Sequence, residues 1–173
     1  MNATTRALAD QARAASRDAV NVLHAVARSS GATVHAAPVG PITAAILGRF
    51  AALAFAGDLT LCEHLSFTAP RPAFWTAWSP KTIRCAHCCE AEAARIRGTV
   101  EDRTCDRCHR VADVVHAVAG QLPAVVVGAR AGRAPYAVPP VQVQFGLCSP
   151  CRAADQPPAA LPESRPTTTR RTA

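Results

Sequence analysis

Three C-x-x-C pairs, Cys85-Ala86-His87-Cys88, Cys105-Asp106-Arg107-Cys108 and Cys148-Ser149-Pro150-Cys151, constrain this chain more than any other feature. Two intervening residues let a tight turn aim both sulfurs at one ion, with backbone N–H groups supporting the thiolates. A half-pair, Cys62-Glu63-His64, precedes them. Structural zinc is held tetrahedrally by four such ligands. Seven of the eight cysteines together with His64 supply enough ligands for two closed sites, and Cys89 is left over. Consecutive pairing gives one site from Cys62, His64, Cys85 and Cys88 and another from Cys105, Cys108, Cys148 and Cys151. Interleaving exchanges pairs between the sites, and spacing alone does not choose. Consecutive pairing is favoured, as is His64 over Cys89 or His87 as the fourth ligand of the first site. Cys89 reads as a small buried hydrophobe.

The cysteines matter because little else offers a dense core. Aromatic residues are 5% of the 173, so packing alone is a thin source of stability for a chain of one domain or two small ones. Hydrophobic residues at 49% against 18% charged exclude wholesale disorder. The formal charge of +7 comes from eighteen arginines and a single Lys81. This bias suits a GC-rich bacterial genome, and no stretch concentrates the charge into a basic patch. Met1 to Asp10 has no basic segment followed by an apolar run, so a cytoplasmic location is expected. The most apolar stretch, Pro41 to Ala56, is broken by Arg49 and is shorter than the roughly 20 residues of a membrane span.

The pattern predicts an α+β fold in three regions. Residues 1–58 read as a helical hairpin. Leu8, Ala12, Ala15, Ala19, Val22, Leu23 and Val26 recur at helical spacing over 3–28, Gly31 to Gly40 is a linker, and Pro41 and Gly57 bracket a second helix. Residues 59–152 read as a small zinc-stabilised antiparallel β unit with a short helix, Glu90 to Arg97, ended by Gly98. Val141 to Phe145 alternates as a half-buried strand, Ala124 to Val127 is a short strand expected to pair with it, and Val111 to Gly120 fits a strand better than a helix. Residues 153–173, rich in Pro, Thr and Arg, read as a disordered tail.

Turn, hairpin and then a helix carrying the last two ligands resembles the treble-clef arrangement at the first site. Cysteine pairs before and after strands make the second site resemble a zinc ribbon. The whole chain is similar to the small multi-C-x-x-C zinc-finger proteins of high-GC bacteria. Such knuckles usually place Gly one or two residues after the second cysteine. Here Cys88 is followed by Cys89, Cys108 by His109-Arg110 and Cys151 by Arg152.

Catalytic zinc keeps an open coordination position, and eight protein ligands fill both sites, so an enzyme is not expected. The zinc-deaminase signature fails, because Cys62-Glu63-His64 has the wrong order. A thioredoxin-like dithiol lacks its βαβ setting. Iron–sulfur ligation by one cysteine quartet stays open. Two functions remain. In the first, the knuckle contacts DNA or RNA through Arg103, Arg107 and Arg110, helped by Arg130, Arg133, Arg170 and Arg171, although Asp102, Asp106 and Asp113 dilute the field. Zinc ribbons are common in nucleic-acid machinery, and that is what the resemblance implies. In the second, the module is a protein-interaction scaffold, with a partner or a second copy on the N-terminal helices. Trp75 and Trp78 fit core packing better than base stacking.

Overall fold

A computed structural model describes residues 3–30, 33–34, 39–66, 68–127 and 134–156. The class is α+β. The elements in order are α1 (Ala3–Ser30), β1 (Thr33–Val34), α2 (Pro41–Ala56), β2 (Thr60–Leu61), β3 (Ala73–Thr76), β4 (Thr82–Ile83), α3 (Ala86–Ile96), β5 (Val115–Leu122), β6 (Val125–Val127), β7 (Tyr136–Val138), β8 (Val141–Cys148) and α4 (Ser149–Ala154). The main sheet runs β1-β5-β8-β3. β5 and β8 are antiparallel over their full length, while β1 lies parallel to β5 and β3 parallel to β8. The unit is therefore mixed rather than antiparallel. Val125–Val127 does not pair with the Val141 strand as expected but with β7. Part of the presumed linker, Thr33–Val34, is itself a strand.

β8 organises the rest. Its odd-numbered residues Val141, Val143, Phe145 and Leu147 face one way and join Trp75, Val118, Ile46 and Phe50 in the main core. Phe50 of α2 meets Trp75 edge-on, ring centroids 5.4 Å apart, the geometry aromatic quadrupoles prefer. Gln142 faces the other way, is fully buried, and its Nε2 donates to Ala19 O of α1. Gln121 Nε2 of β5 donates to Ser16 O of the same helix. The two long helices thus cover opposite faces of the sheet and do not form the expected hairpin. The Ala12, Ala15 and Ala19 stripe explains this. Small residues bring the α1 backbone close enough for glutamine side chains to reach its carbonyls.

Pro41 starts α2 and Gly57, at φ 75°, ends it, with Gly57 N–H and Asp58 N–H returning to Ala54 O and Leu53 O. A left-handed glycine supplying these bonds is a common helix stop. The N-terminus is capped from a distance. Gly40 has no side chain to offer, and the carboxylate of Asp155, just past α4, accepts from Ile42 N–H at 2.8 Å, Thr43 N–H at 2.9 Å and the Thr43 hydroxyl. Asp155 is 3% exposed. The ordered fold therefore runs past Arg152, and the tail assigned to 153–173 lies outside the described residues only from 157 onward.

Asp155→Ala removes the cap and is expected to cost about 1–2 kcal/mol, read as a lower melting temperature. Gly40→Ala should be comparably damaging, because its Cβ would fall 2.1 Å from the Asp155 carbonyl oxygen. An unchanged melting curve for both variants would contradict this cap.

Candidate metal centres

The first centre is assembled at the start of α3. Cys62 follows the short strand β2, held by Cys62 N–H donating to Ile83 O at 2.9 Å, and a turn from Cys62 O to Leu65 N–H swings His64 back over it. Cys85 is the N-cap of α3, its sulfur accepting from Cys88 N–H at 3.5 Å. The helix thus begins at Ala86, one turn earlier than the sequence signals suggested, because a cysteine sulfur takes the role expected of Ser or Asp. Cys85 N–H in turn donates to Cys62 Sγ at 3.2 Å. Cys88 Sγ and His64 Nδ1 are 3.3 Å apart. The other ring nitrogen of His64 lies 3.7 Å from a Glu63 carboxylate oxygen, within ion-pair reach but beyond hydrogen-bonding distance. The sequence contained Glu63 but gave no reason to single it out.

The second centre joins a knuckle to the end of β8. Cys105 to Arg110 is a tight hairpin closed by Cys105 N–H to Arg110 O at 3.0 Å and His109 N–H to Cys105 O at 2.9 Å, its legs bridged at Thr104 and Val111. Cys148 ends β8 and is the N-cap of α4, whose first turn carries Cys151. The second cysteine pair is therefore a strand-to-helix corner, where a zinc ribbon would have a second hairpin knuckle. His109 occupies the left-handed region at φ 57°. It fills by strain the place where knuckles usually carry glycine.

Cys62, His64, Cys85 and Cys88 place one ligand atom each within 4.8 Å of one another, and so do Cys105, Cys108, Cys148 and Cys151. The cysteines are free thiols, Cys108 and Cys148 sulfurs standing 3.8 Å apart. A disulfide needs about 2.05 Å, whereas sulfurs at two corners of a tetrahedron with bonds of about 2.3 Å to its centre are roughly 3.8 Å apart. The spacing fits a metal ion and not a covalent bridge.

Electrostatics point the same way. Burial opposes ionisation of Cys105, but N–H groups of Cys108, Cys148 and Arg107 outweigh it and bring the thiol down to about 7. Burial, then hydrogen bonding and charge from Cys148, Cys105 and Cys108, pushes Cys151 up to about 12. At the first centre, burial and the neighbouring Cys85 and Cys62 push Cys88 up to about 11, while Cys85 is lowered, N–H and thiol donors overcoming its burial. In each cluster one thiolate forms readily and another resists. A divalent cation among them reverses that resistance, because each thiolate then gains a positive neighbour.

Other candidates fall outside both clusters. His87 is exposed. Cys89 is buried, its thiol directed at Gln144 Oε1 at 3.9 Å and pushed by burial to about 11. Arg103, Arg107 and Arg110 are exposed and share the knuckle hairpin, whereas Arg130, Arg133, Arg170 and Arg171 lie outside the described residues. Asp106, between the knuckle cysteines, is turned inward. Its carboxylate accepts from Gly146 N–H at 2.6 Å, and burial pushes it up to about 6. Trp75 is fully buried, and Trp78 only partly so.

His109→Gly relieves the left-handed strain and is expected to leave stability unchanged or raise it by up to about 1 kcal/mol, whereas His109→Val should lower it by about 1–2 kcal/mol. Thermal unfolding at fixed metal concentration distinguishes these outcomes. The chain matches no protein-family model, no curated protein and no solved structure.

Proposed function

We propose that both clusters hold structural zinc and that the chain is a non-enzymatic module whose second knuckle contacts DNA or RNA. The observation that carries the metal reading is the convergence in each cluster of four ligand atoms within 4.8 Å of one another. Three thiolates with an imidazole, and four thiolates, are donor sets that suit zinc. With every coordination position taken by a side chain, neither site offers a place for water or substrate, which argues against catalysis.

The nucleic-acid reading draws support from how the charges are used. Two of the three acids near the knuckle are engaged elsewhere, Asp106 with Gly146 N–H and Asp102 with Gly98 N–H at 2.9 Å, while Asp113 stays exposed. Arg103, Arg107 and Arg110 form no ion pair among the described residues. Three unspent guanidinium groups on one short hairpin suit phosphate contacts. Beside them a cavity of about 360 Å³ opens between α3 and the sheet, lined by Trp78, Arg97, Thr104 and Asp106 among others. That is room for a base against an aromatic wall. The scaffold reading rests on a different observation. α2 carries one charged residue, Arg49, and its outer face ends in Phe55, which is 92% exposed. An exposed apolar side chain of this size suits a protein contact.

Native mass spectrometry should find two zinc ions per chain, and removing them should unfold the sheet, because structural zinc contributes on the order of 10 kcal/mol per site to folding. Cys105→Ser is expected to lose one ion and Cys89→Ser neither. Anisotropy titrations with mixed-sequence single- and double-stranded DNA and RNA should show binding tighter than about 10⁻⁴ M that weakens with salt. Reversing charge at Arg107 and Arg110 should reduce the salt slope by roughly one to two while both ions remain. No binding by the wild type at low salt would leave the α2 protein-contact reading in its place.

A further inference from the structure

We propose that the first centre is an oxidisable one, in which a hydroperoxide joins Cys85 and Cys88 in a disulfide and expels that centre's ion, while the second centre keeps its own. The inference rests on the zinc reading and goes beyond it, because the two centres are built into the fold differently.

None of the first centre's cysteines belongs to the hydrophobic core, whereas Cys105 and Cys148 of the second are core members and Cys151 packs against them. Cys105 is fully buried and Cys148 is 7% exposed. Cys62, Cys85 and Cys88 are all partly exposed, and the His64 side chain is 51% exposed. Exposure governs which thiolates an oxidant reaches. Cys108 is exposed too, but its possible disulfide partners are anchored in the core or packed on it. Cys108 Sγ stands 3.8 Å from Cys148 Sγ, and closing that gap moves either the last residue of β8, a core member, or the knuckle hydrogen-bonded to Gly146.

At the first centre the bridge needs no such disruption. Cys85 and Cys88 share the first turn of α3 as N-cap and third residue, with Cys88 N–H already 3.5 Å from Cys85 Sγ. Their sulfurs approach within the same turn while Cys62 and His64 stay on their own loop. The metal is held there by one thiolate fewer than at the second centre, so losing two sulfurs leaves only Cys62 and His64.

The chemistry balances with the peroxide as sole oxidant. The Cys85 thiolate attacks one peroxide oxygen, the O–O bond breaks, and Cys85 becomes a sulfenic acid as hydroxide leaves. The Cys88 thiolate then attacks that sulfur, forming the S–S bond and releasing a second hydroxide. Two thiolates lose two electrons in total, and those electrons reduce the peroxide to two hydroxides, which take up protons as water. Dithiol reductants reverse the bridge by exchange and free the site to rebind zinc.

The test begins with purified protein whose two zinc ions have been counted by native mass spectrometry. On titration with hydrogen peroxide, one ion per chain should leave at least tenfold faster than the other. The tryptic peptide from Cys85 to Arg95, which excludes Cys62, should become lighter by two hydrogens. Alkylation of the oxidised protein should find Cys105, Cys108, Cys148 and Cys151 still protected. A Cys89→Ala variant should behave like the wild type, and dithiothreitol with added zinc should restore the second ion. Release of both ions at one rate, first oxidation at the second centre, or a bridge to Cys62 or Cys89 would overturn the proposal. Starting protein without zinc would instead overturn the metal reading itself.

Discussion

Cys148, a candidate metal ligand, is the last residue of β8, so the cysteine cluster is built directly onto the fold. β8 is the strand that pairs with both β5 and β3, and its side chains serve the cores on both faces of the sheet. A metal ion held at its end would therefore pin the strand that everything else is registered on. Cys105 brings the knuckle to the same point, and Asp106 N–H donates to Gly146 O at 2.9 Å while its carboxylate takes Gly146 N–H. The knuckle is thus hydrogen-bonded to the strand edge beside the cysteine cluster that the two share. Gly146 also lets β5 lie close, since a Cβ there would meet Val115 Cγ1 at 2.4 Å.

From this anchor the second half of the ordering follows. α4 begins on the Cys148 cap and runs only six residues, too short to hold itself. Its direction delivers Asp155 to the open N-terminus of α2. That helix is then fixed at one end by a buried carboxylate and along its length by Ile46 and Phe50 against Trp75. A carboxylate at a helix N-terminus meets both unpaired N–H groups and the positive end of the helix dipole. The chain closes a circuit from the second cysteine cluster to short helix to cap to long helix and back to the sheet.

How much of this was legible depends on the range of the signal. Pro41 and Gly57 marked α2 to the residue because proline and glycine act locally. The cysteine pairs group consecutively, the favoured arrangement, although spacing alone did not choose it. The start of α3 was set one turn late because a cysteine cap does not read as one. The distant cap by Asp155 left no local trace, since its partners are over a hundred positions away. Strict alternation in Val141 to Phe145 suggested glutamines facing water. In fact Gln142 is buried under α1, and only the register of a second helix could have revealed it. The pairing of β5 with β8, and of β6 with β7, was equally hidden, as valine-rich runs of similar texture do not state which of them are neighbours.

The two faces of the sheet are held by different physics. On the α2 side, large side chains exclude water, and burying each is worth about 1.5–3 kcal/mol. On the α1 side, the contact is a narrow stripe of alanines between Leu8 and Leu23, completed by hydrogen bonds from Gln121 and Gln142. Such neutral bonds contribute about 1 kcal/mol each. The Oε1 atoms of both glutamines and Thr76 Oγ1 are buried without a hydrogen-bond partner among the described residues, and each such atom costs about 1–3 kcal/mol. The unpartnered oxygens therefore offset what those hydrogen bonds contribute, and the apolar burial of Leu8 and Leu23 remains. The sheet beneath α1 is gripped from the opposite face by α2, whose Ile46 and Phe50 join the β8 core.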